Sequence, residues 1–256
     1  MANDLQDQHA LVTGAGQGIG EAIARQLLAH GAKVTVLGRS AESLKKLVDE
    51  NPGQCQMVLA DVAQESEVVA AFAKAAYWNG AIDILVNNAG QASSSPFMRM
   101  DAVHWQNMLD VNLTGTMLCT QQVLPGMVQA GYGRIVNVAS TAGLTGYAYV
   151  AAYVAAKHGV VGLTRALALE FAQKGITINA VCPGYTETEI MKTSIQRVVE
   201  KTGRTPEQAM AEFVKGNPQG RLVQPQEVAD AVLWLCGKGA GAITGQAIAV
   251  AGGEVM

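Results

Sequence analysis

Ala10-Leu11-Val12-Thr13-Gly14-Ala15-Gly16-Gln17-Gly18-Ile19-Gly20-Glu21-Ala22-Ile23-Ala24 is the stretch on which the reading of this chain turns. It begins as a short apolar run and ends with helical periodicity. The glycines at the junction have the spacing TGxxxGxG, with Gly14, Gly18 and Gly20 as its fixed members. Glycine lets a backbone turn sharply and come close to a phosphate, and the free N–H groups of a helix start favour negative charge there. Strand, glycine-rich turn and helix in that order therefore predict a pyrophosphate cradle. The GxGxxG form fails, because Ile19 stands where its third glycine belongs.

Outward from this stretch the same alternation continues. His9 to Thr13, Lys33 to Leu37, Gln56 to Leu59, Ile84 to Asn87, Arg134 to Val138, Thr177 to Cys182 and Ala247 to Val250 read as strands, while Gly20 to His30, Glu65 to Trp78 and Val103 to Val128 have helical length and periodicity. Alternating strands and helices predict right-handed βαβ units, hence an α/β, doubly wound Rossmann fold with a parallel seven-stranded sheet flanked by helices. With 256 residues, 49% hydrophobic and 15% charged, one domain spanning 1–256 is expected. A formal charge of −3 without like-charged runs argues against a nucleic-acid partner. No apolar run reaches spanning length, so no membrane partner is expected. Met1 to Gln8 is polar and lacks the basic and hydrophobic regions of a secretion signal, which makes the cytoplasm the expected location. Cys55, Cys119, Cys182 and Cys236 show no metal-ligand spacing; they read as reduced packing thiols, and no metal is expected.

The second strand ends in Leu37-Gly38-Arg39-Ser40. A carboxylate here would hold the ribose hydroxyls of NAD, whereas a cation suits the 2′-phosphate of NADP. Arg39 therefore favours NADP(H) over NAD(H), although Gln17 leaves only one cation in view. Further on, Ser140 lies just beyond a strand, and Tyr153 and Lys157 are four apart, on one face of a helix. Reducing a ketone needs a hydride at carbon and a proton at oxygen. A phenol with a reference pKa of about 10 exchanges protons poorly at neutral pH, and a nearby ammonium is expected to lower that value. Ser140 can donate a hydrogen bond to the substrate oxygen as charge develops.

TGxxxGxG, Asn87-Asn88-Ala89-Gly90, Asn112, Ser140 and Tyr153-Val154-Ala155-Ala156-Lys157, in this order, resemble the short-chain dehydrogenase/reductase family over essentially the whole chain. The resemblance implies a catalytic tetrad of Asn112, Ser140, Tyr153 and Lys157. It also implies a cofactor site of Gly14, Gln17, Gly18, Ile19, Gly20, Arg39, Asp61, Val62, Asn88, Ala89, Gly90, Tyr153, Lys157, Pro183, Gly184, Thr186 and Thr188. In it Asp61 and Val62 meet the adenine, and the Pro183-Gly184 segment seats the nicotinamide. Ala251 departs from the family, where an acidic residue commonly precedes the two glycines.

Substrate contacts are expected from Ser140, Tyr147, Tyr153, Tyr185 and Met191. Thr186 to Gly220 reads as a lid over about 186–220, containing one short helix with Thr205 as N-cap, Pro206 in its first turn and Gln208 closing a capping box. Cys182-Pro183-Gly184, Gln224-Pro225-Gln226-Glu227-Val228 and Gly237 to Gly253 resemble aromatic-polyketide and 3-oxoacyl thioester reductases, and the long lid is similar to that of 3-hydroxybutyrate dehydrogenases. The expected activity is NADPH-dependent reduction of a 3-oxoacyl or related small-molecule carbonyl. NAD-dependent oxidation of a 3-hydroxyacyl or other secondary alcohol is the alternative, and a silent NADP-binding scaffold the alternative of another class. Ala148 to Ala172 is apolar nearly all round, with Val161 read as pointing outward; a homo-oligomer is expected, with the family's tetramer as the leading form.

Overall fold

Every apolar run expected to form a strand does so in the computed structural model, which describes residues 5–256 apart from the side chains at 190 and 197; the first four residues of the polar stretch Met1 to Gln8 lie outside it. The strands are β1 (His9–Thr13), β2 (Lys33–Gly38), β3 (Cys55–Leu59), β4 (Ile84–Asn87), β5 (Gly133–Val138), β6 (Ile176–Pro183) and β7 (Ala247–Val250), all parallel. Successive side chains of a strand face opposite sides. Ala10, Val12, Ile84, Val86 and Val136 accordingly pack on one face, against Ile23 and Leu27 of α1 (Gly18–Ala29), Leu44 and Leu47 of α2 (Ala41–Glu50), and Val228 and Val232 of a helix at Pro225–Cys236. Leu11, Leu85 and Ile135 pack on the other, against Val68 and Phe72 of α3 (Glu65–Asn79) and later helices. Burying one such side chain contributes about 1.5–3 kcal/mol, which fixes both the register and the two helical layers.

The strand order is β3-β2-β1-β4-β5-β6-β7. Connections leave β1 toward one edge and β4 toward the other, so a crevice opens at the carboxyl ends of these two neighbours. The cradle expected after β1 and the Asn87-Asn88-Ala89-Gly90 turn after β4 both lie at that reversal.

Four local readings are corrected. Val103 to Val128 is not one regular helix: α4 (Ala102–Leu109) passes through a wide π turn at Asp110–Thr114 into α5 (Gly115–Ala130). The helix expected at Ala148 to Ala172 is α6 (Ala151–Phe171), because Tyr149 has φ 68°, in the left-handed region, which a right-handed helix does not admit. Val161 does not point outward. It is 3% exposed and packs with Ala139, Val160, Ala180 and Cys182, whereas Leu169 is the outward residue of α6, at 83%.

The excursion after β6 holds two helices, α7 (Glu189–Thr202) and α8 (Pro206–Val214). The capping box of Thr205 and Gln208 forms as expected. α7 escapes a reading by apolar periodicity because most of its positions are polar. The helix at Pro225–Cys236 is thus α9. Among the described residues no helix is long and apolar enough to cross a membrane.

Candidate functional site

The cradle is assembled by absence of side chains. Gly14 and Gly18 have φ +64° and +56°, and a Cβ on Gly14 would lie 2.8 Å from the Ala89 Cα. A Cβ on Gly20 would overlap the Gly14 carbonyl oxygen and the Asn88 amide. Asn88 Nδ2 donates to the carbonyls of Thr13 and Gly14, each at 3.0 Å, while Thr13 Oγ1 accepts from the N–H groups of Asn88 (3.0 Å) and Ala89 (2.9 Å). The turns after β1 and β4 are thereby stapled across the crevice. Gln17, extended at the N-cap of α1, makes no side-chain cap, so the start of that helix retains its capacity for an anion. A backbone cradle that any Cβ would fill, facing an uncapped helix start, fits a dinucleotide pyrophosphate.

From the cradle a cleft of about 1380 Å³ runs along the carboxyl edge of the sheet, and every site residue named from the sequence lines it. At one end stand Gly38, Arg39, Ser40, Ser43, Asp61 and Val62. Arg39 Nη1 lies 4.0 Å from Asp61 Oδ2, and its side chain is 73% exposed. Asp61 Oδ1 accepts from the Ala63 N–H at 3.0 Å. Val62 is buried and backs onto Gly115, where a Cβ would meet Val62 Cγ2 at 2.8 Å. Ser40 occupies the N-cap of α2 without a side-chain cap, and Ser43 Oγ donates to the Ser40 carbonyl at 2.9 Å. Neither serine was named as a site residue from the sequence, although two serines just after Arg39, beyond a predicted strand, were a usable signal.

In the middle of the cleft Lys157 is 4% exposed, and its Nζ donates to the Val138 carbonyl at 2.9 Å. Burial pulls this ammonium down to about 8. The ring centroid of Tyr153 is 5.7 Å from Nζ, one helical turn away. In the protein alone burial raises the Tyr153 phenol, and a hydrogen bond with Ser140 opposes that rise. The lowering expected from Lys157 is not found in the protein alone: desolvation of the phenolate sets the direction, and Ser140 is what opposes it. Ser140 is itself held by the Ala142 N–H, 3.1 Å from its Oγ.

Asn112 sits fully buried in the π turn. Its Nδ2 donates to the carbonyls of Gln91 and Met108, each at 2.9 Å, and its Oδ1 accepts from the Gln91 N–H at 3.2 Å. A Cβ on Gly90 would lie 2.9 Å from Asn112 Oδ1 and 3.6 Å from Lys157 Nζ. A side chain there would press on the Asn112 amide and come against the Lys157 ammonium. Cys182 is a buried thiol, raised to about 11 by burial, and all four cysteines are free and buried.

At the far end the Gly184 N–H donates to the Val250 carbonyl at 3.1 Å, and Thr186 Oγ1 donates to the Gly184 carbonyl at 2.9 Å. Thr188 caps α7, and its Cγ2 would lie 3.0 Å from a Cβ on Gly18, so α7 starts directly over the glycine turn. Met191, Ser194, Val198 and Lys201 line the cleft at spacings that put them on one face of α7. Tyr147 and Tyr185 meet edge to face at 6.2 Å, and Tyr185 meets Phe213 of α8 at 5.3 Å. Phe213 and Glu254, whose carboxylate reaches Tyr147, went unnamed in the sequence reading; nothing local marks either one. The departure at Ala251 is a buried small residue packed against Gly184. Among the described residues no group of acidic, His or Cys side chains is placed to hold a metal.

A family model described as short chain dehydrogenase matches residues 8–198. The 3-oxoacyl-[acyl-carrier-protein] reductase of Aquifex aeolicus is 38% identical over 253 residues, covering 97% of this chain and 98% of that one. The D-beta-hydroxybutyrate dehydrogenase of Rhizobium meliloti is 36% identical over 250 residues, covering 95% and 97%. A variant of actinorhodin polyketide ketoreductase, solved with NADPH, superposes with a TM-score of 0.93 at 41% identity over 99% of both chains. With the matched model, these relatives and the architecture in agreement, the chain belongs to the short-chain dehydrogenase/reductase family and is a nicotinamide-dependent oxidoreductase of that type.

Proposed function

We propose that this protein reduces a 3-oxoacyl compound or a closely related ketone at the expense of NADPH. The observation that carries the reading is the convergence of Tyr153, Ser140 and Lys157 in the middle of a cleft whose one end is the glycine cradle and whose other end is the aromatic wall. Bound nicotinamide supplies the hydride to the carbonyl carbon. Tyr153 gives its proton to the carbonyl oxygen, and Ser140 donates a hydrogen bond to that oxygen as it gains charge. Lys157, anchored on the Val138 carbonyl, stands close enough to the phenol to favour its ionised form. Asn112 acts through the backbone: by bonding to Gln91 and to the Met108 carbonyl it holds the turn at Gly90 in place beside Lys157.

NADPH rather than NADH is supported by the lack of a carboxylate at the end of β2, by Arg39 with Ser40 and Ser43 on the cleft wall, and by the relative solved with NADPH. The 3-oxoacyl class is supported by the reductases among the relatives. The helices α7 and α8 are a lid, since one face of α7 and Phe213 of α8 border the cleft. Buried thiols suit a reducing compartment, the cytoplasm. Exposed Leu169 on α6 and Trp234 on α9, at 83% and 52%, support a homo-oligomer, with a tetramer as the form. Leu169→Glu, in place of the inward Val161, is the substitution expected to lower the assembly state in light scattering.

The test is a panel of 3-oxoacyl thioesters, cyclic diketones and simple ketones, each with NADPH and with NADH. The reading expects cofactor oxidation, fastest with a 3-oxoacyl thioester and NADPH. Turnover confined to 3-hydroxyacyl compounds with NAD would replace it by the dehydrogenase alternative.

A further inference from the structure

The substrate end of the cleft is lined by more phenols than the reaction needs: Tyr147, Tyr153 and Tyr185, with Tyr149 at the rim. A carbonyl oxygen that bonded to the wrong phenol would present its carbon out of register with the cofactor. Tyr147 Oη lies 2.5 Å from Glu254 Oε1 and 2.8 Å from Thr141 Oγ1. A phenol has a single proton. The carboxylate can only accept, and an O–H···O⁻ bond of about 2.5–2.7 Å is the stronger kind. The Tyr147 proton therefore goes to Glu254, and the Thr141 hydroxyl is left to donate to the phenol oxygen.

We propose that Glu254 is a positioning residue that occupies the hydroxyl proton of Tyr147, so that this ring forms a wall without a free donor and the substrate oxygen is directed to Tyr153 and Ser140. The proposal rests on the ketone-reducing reading above. Glu254 is well placed for the task. It follows β7 in a turn where Gly252 and Gly253 have φ +61° and +91°. A Cβ on Gly252 would collide with the Asn217 side chain, and one on Gly253 would lie 3.3 Å from Pro218. Asn217 is 9% exposed, donates to the Arg221 carbonyl at 2.9 Å and accepts from the Gln219 N–H at 2.8 Å. The turn carrying Glu254 is thus wedged against the loop that leaves α8. On its other side the carboxylate packs on Gly184, where a Cβ would come within 2.7 Å of Oε2.

The test compares Glu254→Leu, Tyr147→Phe and the double variant on a prochiral 3-oxo substrate, reading the product enantiomer ratio, kcat and KM separately, and NADPH affinity. Glu254→Leu removes the carboxylate that takes the phenol proton, leaving only the Thr141 hydroxyl to compete with the substrate for it, and is expected to erode the enantiomer ratio about fivefold, the weight of one neutral hydrogen bond, with NADPH affinity unchanged. Tyr147→Phe has no proton to misplace and keeps the ratio; the double variant returns to it. A Glu254→Leu ratio equal to wild type, or a loss in Tyr147→Phe, overturns the proposal. Phenol absorbance titration reads the contact without turnover. Burial and Glu254 both raise Tyr147, so the phenol that is missing from Tyr147→Phe is expected to titrate at lower pH in Glu254→Leu. An unchanged titration also overturns the proposal. A wild type that reduces no ketone yet shows the titration shift fails the reaction assignment and not the contact.

Discussion

At the cradle, Gly14 and Gly20 leave no room for a Cβ and the Asn88 side-chain amide ties down the carbonyls of Thr13 and Gly14, whereas at the other end of the same cleft the wall is three rings and a carboxylate drawn from positions 147, 185, 213 and 254. In the proposed function the first end recognises what every reaction of this kind shares, a pyrophosphate, and does so with glycines that cannot vary without a steric clash. The second must fit one substrate, and its side chains can be exchanged without touching the sheet. The proposed chemistry lies between them, where Tyr153 and Lys157 hang from α6. If this division holds, substitutions at the two ends should separate cofactor affinity from selectivity, and those in the middle should affect neither as much as rate.

The largest expected effect is therefore in the middle. Tyr153→Phe deletes the proton donor and keeps the ring, so kcat should fall by about 10²–10⁴ while NADPH affinity stays near wild type. Rapid-kinetic turnover with a parallel fluorescence titration of NADPH checks both. A variant that turns over normally would remove Tyr153 from the reaction, and one that loses cofactor as well would show that the division between the ends and the middle is false.

Lys157 carries the next effect, on stability. Its value is about 8 in the folded protein against 10.5 ordinarily, because burial opposes the charge. Below pH 8 both folded and unfolded chains carry the ammonium, and the cost of burying it is present in full. Between pH 8 and 10.5 the unfolded chain binds the proton and the folded chain does not, so stability rises with pH through that window. The full span is on the order of 3 kcal/mol at about 1.4 kcal/mol per unit. Urea unfolding of wild type and Lys157→Met at pH 7 and pH 10 should show the wild type gaining on the variant; parallel changes would mean that Lys157 is not held against its charge.

Gly20→Ala probes the cradle. Its Cβ would meet a backbone carbonyl, which no rotamer change relieves, and overpacking of that kind costs about 1–3 kcal/mol. The loss should fall on the affinity of NADPH and NADH equally, because both carry the pyrophosphate. Selectivity among ketones should not change.

The same division explains what could be read in advance. All seven strands follow from short apolar runs and the cradle from glycines whose spacing is local, while Asn112, Ser140, Tyr153 and Lys157 were named because their order along the chain resembles the family's. What escaped depended on distance in sequence. Glu254 meets Tyr147 across 107 positions, and Phe213 reaches Tyr185 from a helix in the excursion; neither has a spacing to recognise. Val161 was misread because α6 is apolar on more than one side, and only the packing of Ala139, Ala180 and Cys182 against it decides which face is inward. The π turn at Asn112 has no sequence period of its own.

Arg39 gives the smallest effect and the finest test of the comparison, since it belongs to the cofactor end but is a side chain, not a backbone feature. Its side chain is 73% exposed and its guanidinium lies 4.0 Å from Asp61, so water and a neighbouring carboxylate both weaken what it can offer a 2′-phosphate. A charge-assisted contact is worth about 1.5–3 kcal/mol, and this exposure places Arg39 at the lower end, roughly a tenfold change. Arg39→Ala should thus weaken NADPH about tenfold and leave NADH nearly unchanged, and the NADPH effect should shrink as salt is raised from about 0.05 to 0.5 M, because screening acts on an exposed pair. Equal losses for the two cofactors would assign Arg39 to the adenine or to the fold. An NADPH loss that salt does not touch would mean that Ser40, Ser43 and the start of α2 enclose the phosphate more fully than the exposed guanidinium suggests.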